Sequence, residues 1–151
     1  MVAEEEKASQ PYTQSSDEED LKEVGAAYYT VPLQIGKREN VPLSSLLGKL
    51  TEELQRQLGA DLWLLMLYGS YARGEAQPDS DVDLFVVLRR ASEAAYEKVR
   101  QIAYRVMWEA DFAYVFSLYL TDARHYRTLE QHSSSFLRNI QREGQVLWKA
   151  T

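Results

Sequence analysis

Two short apolar runs, Leu62-Trp63-Leu64-Leu65-Met66-Leu67-Tyr68 and Val82-Asp83-Leu84-Phe85-Val86-Val87-Leu88, stand on either side of a polar segment rich in glycine and acids. Runs this short and this apolar suit strands covered on both faces, so the chain needs helices above and below a sheet. The flanking periodicity supplies them. Leu46, Leu47, Leu50, Leu54 and Leu58 recur at helical spacing over 44–58, with Ser44 as the expected N-cap and Gly59 as the stop. Ala95, Val99, Ile102, Ala103, Val106 and Met107 share one face of a second helix expected from Ser92 to about Trp108. Residues 112–120 read as a strand, 122–129 as the start of a short helix, 135–143 as a helix with Gly144 as its C′ residue, and 146–148 as a terminal strand. The expected fold is α/β (α+β), a small mixed sheet with helices packed on it.

The rest of the chain adds little structure. Residues 1–23 carry eight acids against Lys7 and Lys22, which accounts for the whole net charge of −6, while the other 15 acids and 15 bases cancel. Residues 1–24 have almost no large apolar side chains and are expected to be a disordered acidic tail, leaving 25–151 as one domain. Ala26 to Leu33 favours an extended arm interrupted by Pro32. A near-neutral remainder without a dense Lys/Arg run argues against strong binding to long nucleic acid. No apolar run reaches membrane-spanning length, the start Met1-Val2-Ala3-Glu4-Glu5-Glu6 lacks secretory character, and there is no cysteine. A cytoplasmic location is therefore expected.

The chemistry concentrates between the two central runs. A strand ending at Tyr68 and passing through Gly69-Ser70 into a helical turn frees backbone N–H groups that suit phosphate. Gly69 lets a phosphate approach the backbone, and the Ser70 hydroxyl can donate to it. At the head of the next strand, Asp81 and Asp83 lie two residues apart, so both carboxylates project to one face. Convergent carboxylates suit Mg²⁺, which leaves its other positions to water and phosphate oxygens. One ion would hold the phosphates and a second would activate an attacking hydroxyl. Pro78-Asp79-Ser80 supplies a turn just before the strand.

Gly69-Ser70, ten intervening residues, then Asp81-Val82-Asp83, with Ala72-Arg73-Gly74 and Ser80 in between, resembles the minimal nucleotidyltransferase group of the DNA polymerase β superfamily. The likeness extends more loosely from about Ser44 to Trp148, including the closing Phe136–Trp148 stretch, and excludes residues 1–40. It implies the polymerase β-like nucleotidyltransferase fold, one or two Mg²⁺ ions, and ATP as substrate. It also implies a helical HEPN-domain toxin as partner, to a tyrosine of which an antitoxin of this group transfers AMP.

The family's chemistry uses a third carboxylate on a later strand. None occurs along 112–120, where Glu109 and Asp111 precede the stretch and Asp122 follows it. Asp111 is the candidate third catalytic and metal-binding acid if that strand begins early. Arg73 either reaches phosphate oxygens or pairs with Glu75 or Asp79. His125 and His132, seven apart and without cysteine, make an unpromising zinc pair. Tyr68, Tyr71 and Tyr114 suit either base stacking or core packing. Three functions follow: AMP transfer to a partner protein, a nucleotide-binding partner acting by complex formation alone, and transfer to a small molecule such as an aminoglycoside.

Overall fold

The computed structural model describes residues 41–151. The acidic segment 1–24 and the arm at 26–33 lie outside the described residues. Helix α1 (Leu43–Leu58) leads through a 3-10 turn (Gly59–Asp61) to strand β1 (Leu62–Tyr68), and the one-turn helix α2 (Gly69–Arg73) follows at once. Strand β2 (Val82–Leu88), helix α3 (Glu93–Glu109) and strand β3 (Phe116–Asp122) come next. Helices α4 (Ala123–Gln131) and α5 (Ser135–Glu143) and strand β4 (Gln145–Lys149) complete the order.

The sheet runs β3-β2-β1-β4. β1 is antiparallel to both β2 and β4, whereas β2 and β3 are parallel. A parallel pair needs a crossover, and α3 provides it. The two most apolar runs of the sequence occupy the centre, where both faces are covered.

Alternation along β2 divides the core in two. Val82, Leu84, Val86 and Leu88 face α1 and α3, meeting Leu50, Leu54, Val99, Ile102 and Val106. Phe85 and Val87 face the other way, toward Tyr126 of α4 and Leu137 and Ile140 of α5. In β1 the register shifts between Leu62 and Leu64, a bulge at Trp63 that puts Leu62 and Leu65 on the same side although they are three residues apart.

The expected elements are present, with boundary changes. α1 begins at Leu43 rather than after Ser44, with Pro42 at the cap position and no side-chain cap bond. Ser92 does cap α3, accepting from the Ala95 N–H at 3.0 Å. The third strand starts at Phe116, four residues later than Phe112. Residues 111 and 112 have φ of 51° and 52°, left-handed backbone that cannot continue into a strand, and the Phe112 N–H turns back to the Met107 carbonyl. Among the described residues no helix is long and apolar enough to cross a membrane.

Candidate active site

β1 ends at Tyr68, and the chain turns at Gly69 with φ 72°. Antiparallel pairing sets Tyr68 opposite Asp83, so the Gly69–Ser70 corner and the head of β2 lie side by side. A Cβ at position 69 would collide with the Asp83 carboxylate, its Cγ only 2.9 Å from that carbon. Glycine is thus required twice here, for backbone conformation and for the closeness of the acid. The short α2 closes at Gly74, which is left-handed with φ 73°, and the Glu75 N–H also donates to the Ser70 carbonyl at 2.9 Å.

The turn into β2 is held by Ser80, whose Oγ accepts from the Gln77 N–H at 2.9 Å while its own N–H donates to the Gln77 carbonyl at 3.0 Å. Val82 is wholly buried against α1 and α3. Asp83 therefore points to the opposite side of the sheet, the side that α4 and α5 cover, and Asp81, just before the strand, is near enough for its charge to act on Asp83. Asp81 is exposed and Asp83 half-buried. Burial raises the Asp83 carboxyl above the usual carboxylate range and the Asp81 charge adds to this, with Arg73 partly offsetting both. Burial, with Asp83 beside it, pushes the Tyr68 phenol up to about 12. Tyr71 is likewise raised, by burial first and then by Tyr114 and Asp81.

This donor set fits a hard divalent cation. Two carboxylates close enough for one charge to disfavour the other would be relieved by a nearby positive ion. Asp81 and Asp83 would hold it.

The structure does not bring Asp111 into this group. Among the described residues no three acid, histidine or cysteine side chains gather as a metal site. Asp111 sits in the left-handed turn that ends α3, five residues before β3 begins. Asp122 is used elsewhere, capping α4 by accepting from the His125 N–H at 2.7 Å. The residue beside Asp83 on the neighbouring strand is Ser117, a position inside the expected strand 112–120 that the sequence did not single out because it carries no register between strands.

Arg73 pairs with Glu75 at 3.0 Å, as one of its two readings held, and not with Asp79 but with Glu143 at 3.5 Å, at the end of α5. That partner is seventy residues away in the chain and left no local signal. Tyr71 and Tyr114 make an edge-on pair at 6.0 Å next to Asp81.

Comparison with known proteins adds the following. A family model described as a nucleotidyltransferase domain matches residues 47–139. A protein of Methanocaldococcus jannaschii provisionally named a protein adenylyltransferase is 40% identical over 47 residues, which cover 31% of this chain and 32% of the relative. The match thus spans about a third of that relative's length. A solved toxin–antitoxin complex with AMP-PNP is 23% identical, with 70% of this chain and 74% of that one covered and a TM-score of 0.46. A Shewanella oneidensis complex of a tri-AMPylated HEPN toxin with an MNT antitoxin is 21% identical, with 71% and 72% covered and a TM-score of 0.41.

Proposed function

The chain belongs to the nucleotidyltransferase domain family, and from that membership we propose that it transfers AMP from ATP, with Mg²⁺, to a hydroxyl of a partner protein. The observation that carries this reading is the contact of Gly69 with Asp83, which makes the Gly-Ser corner and the paired carboxylates one site. Around it the residues divide the work. The backbone N–H groups that follow Gly69 at the start of α2 and the Ser70 hydroxyl receive phosphate oxygens. Asp81 and Asp83 would hold Mg²⁺, which would supply screening of the phosphate charge. Arg73, tied to Glu75 and Glu143, is near enough for its charge to favour the ionised Asp83 carboxylate. An acceptor hydroxyl then attacks the α-phosphorus, a phosphodiester forms as the bond to pyrophosphate breaks, and the hydroxyl proton leaves to water.

A protein acceptor is supported by the name of the M. jannaschii relative. A HEPN-type toxin, with this chain as its antitoxin, is the partner implied by the resemblance of Gly69-Ser70 and Asp81-x-Asp83 to the minimal nucleotidyltransferase group. The test is incubation with Mg²⁺ and α-phosphate-labelled ATP in an extract of the source cells, beside the Asp81→Asn/Asp83→Asn double variant. A protein band labelled by wild type alone is expected. Equal labelling by the double variant would sink the mechanism.

One observation favours a second reading, a nucleotide-binding partner that acts by complex formation. Ser117, not an acid, lies beside Asp83, so among the described residues the neighbouring strand offers no carboxylate at that position to take the acceptor proton. That reading expects a complex with the partner that persists in Asp81→Asn and no labelled band from wild type.

A further inference from the structure

On the α5 side of the sheet the carboxylate of Asp83 gives way directly to aromatic surface. Tyr68 is across from Asp83, and Phe85 follows two residues along β2. Tyr119, the neighbour of Phe85 on β3, stacks on it with ring centres 5.3 Å apart. Phe136, in the first turn of α5, closes the group. Its ring centre is 5.0 Å from Tyr119, 6.1 Å from Tyr68 and 6.2 Å from Phe85, edge-on to the last two.

These rings differ in what they leave open. Phe85 is fully buried and is accounted for by core packing, whereas Phe136 keeps 36% of its surface exposed. The other large exposed apolar residues among those described, Trp108 and Val146, belong to α3 and to the edge strand β4. Trp108 meets Tyr104 and Phe112 on the far layer. Phe136 alone of the three adjoins the residues that flank the paired carboxylates.

We propose that Phe136, braced by Tyr68 and Tyr119, is the platform on which the base of the bound nucleoside triphosphate stacks. The proposal rests on the nucleotide reading above and adds the base-binding residue to it. A flat ring held in place by two others loses little freedom when a second flat ring covers it, and every nucleobase offers a π face. The platform therefore gives affinity without choosing the base by hydrogen bonds.

Binding of Mg·ATP and of Mg·tripolyphosphate, measured by titration calorimetry on the full chain, tests this with two variants. Phe136→Leu keeps apolar volume against Tyr68 and Tyr119 but removes the π face; Phe136→Trp restores one. Phe136→Leu is expected to weaken ATP roughly tenfold, the scale of one stacked base, with tripolyphosphate unchanged and Phe136→Trp holding ATP as wild type does. The platform is overturned if Phe136→Leu binds ATP like wild type, or loses ATP and tripolyphosphate equally. A wild type that binds both ligands with equal affinity also overturns it while leaving the phosphate site standing. A wild type that binds neither defeats the nucleotide reading itself, and the platform with it.

Discussion

A methyl group at position 69 would meet the Asp83 carboxylate on a backbone whose φ is 72°. Gly69→Ala therefore combines strain of about 1 kcal/mol or more with displacement of the acid. The expected result is a lowered melting temperature together with loss of labelling, measured by calorimetry and by the α-phosphate assay. Asp83 itself makes a prediction of opposite sign for stability. Its carboxyl is raised in the folded state by burial and by Asp81, so the folded chain keeps a proton that the unfolded chain releases. Stability from this group is fully present below the ordinary carboxylate value and is lost as pH rises through the raised one. Asp83→Asn removes that loss. In chelator at neutral pH the variant should melt above wild type, the difference shrinking as pH falls below the ordinary carboxylate range, and a lower melting point at neutral pH would refute the assignment. These residues were legible in the sequence because ten residues separate a Gly-Ser corner from an acid pair, a spacing set by two adjacent strand ends. Glu143 was not, since its pairing with Arg73 exists only once α5 lies across the sheet.

Elements were read best where burial is complete. β1 and β2 have the limits their apolar runs set, and α5 the limits set by its helical pattern between the polar 132–134 turn and Gly144. β3 was misread because Phe112, Tyr114 and Val115 have strand composition yet pack against the α1/α3 core from a left-handed turn. Gly144 shows a subtler difference. A glycine after a helix is ordinarily explained by left-handed backbone, but here φ is −76° and ψ is 160°. What the position requires is closeness: an added Cβ would collide with the Ile140 carbonyl oxygen and lie 3.1 Å from that of Leu67. Both are backbone atoms, and the Gly144 N–H already donates to Ile140 at 2.7 Å. Gly144→Ala is therefore expected to cost roughly 1–3 kcal/mol as an overpacked contact, read from the midpoint of urea unfolding. No change in midpoint would mean that the α5–β4 corner yields freely.

At the scale of the whole molecule, the sheet order decides which acids can act together. β2 and β3 are parallel, so the heads of both strands lie at the same end, and a carboxylate on β3 facing α5 would have to stand near Ser117 to join Asp81 and Asp83. Asp111 is at the correct end in sequence order but on the turn that leaves the α3 layer, with its N–H donated to the Trp108 carbonyl at 3.0 Å and Phe112 after it packed into the α1/α3 core. The family resemblance called for a third acid and the sequence offered Asp111 as the nearest, yet among the described residues Asp111 does not gather with Asp81 and Asp83. Asp111→Asn should accordingly keep labelling of the partner within about twofold of wild type, well inside the ~100-fold scale at which loss of a proton-transferring group is felt, while Asp81→Asn abolishes it. The comparison is informative in either direction. A loss in Asp111→Asn as deep as in Asp81→Asn, with unchanged melting temperature, would mean that the α3–β3 turn rearranges when nucleotide and partner bind and delivers the third carboxylate only then.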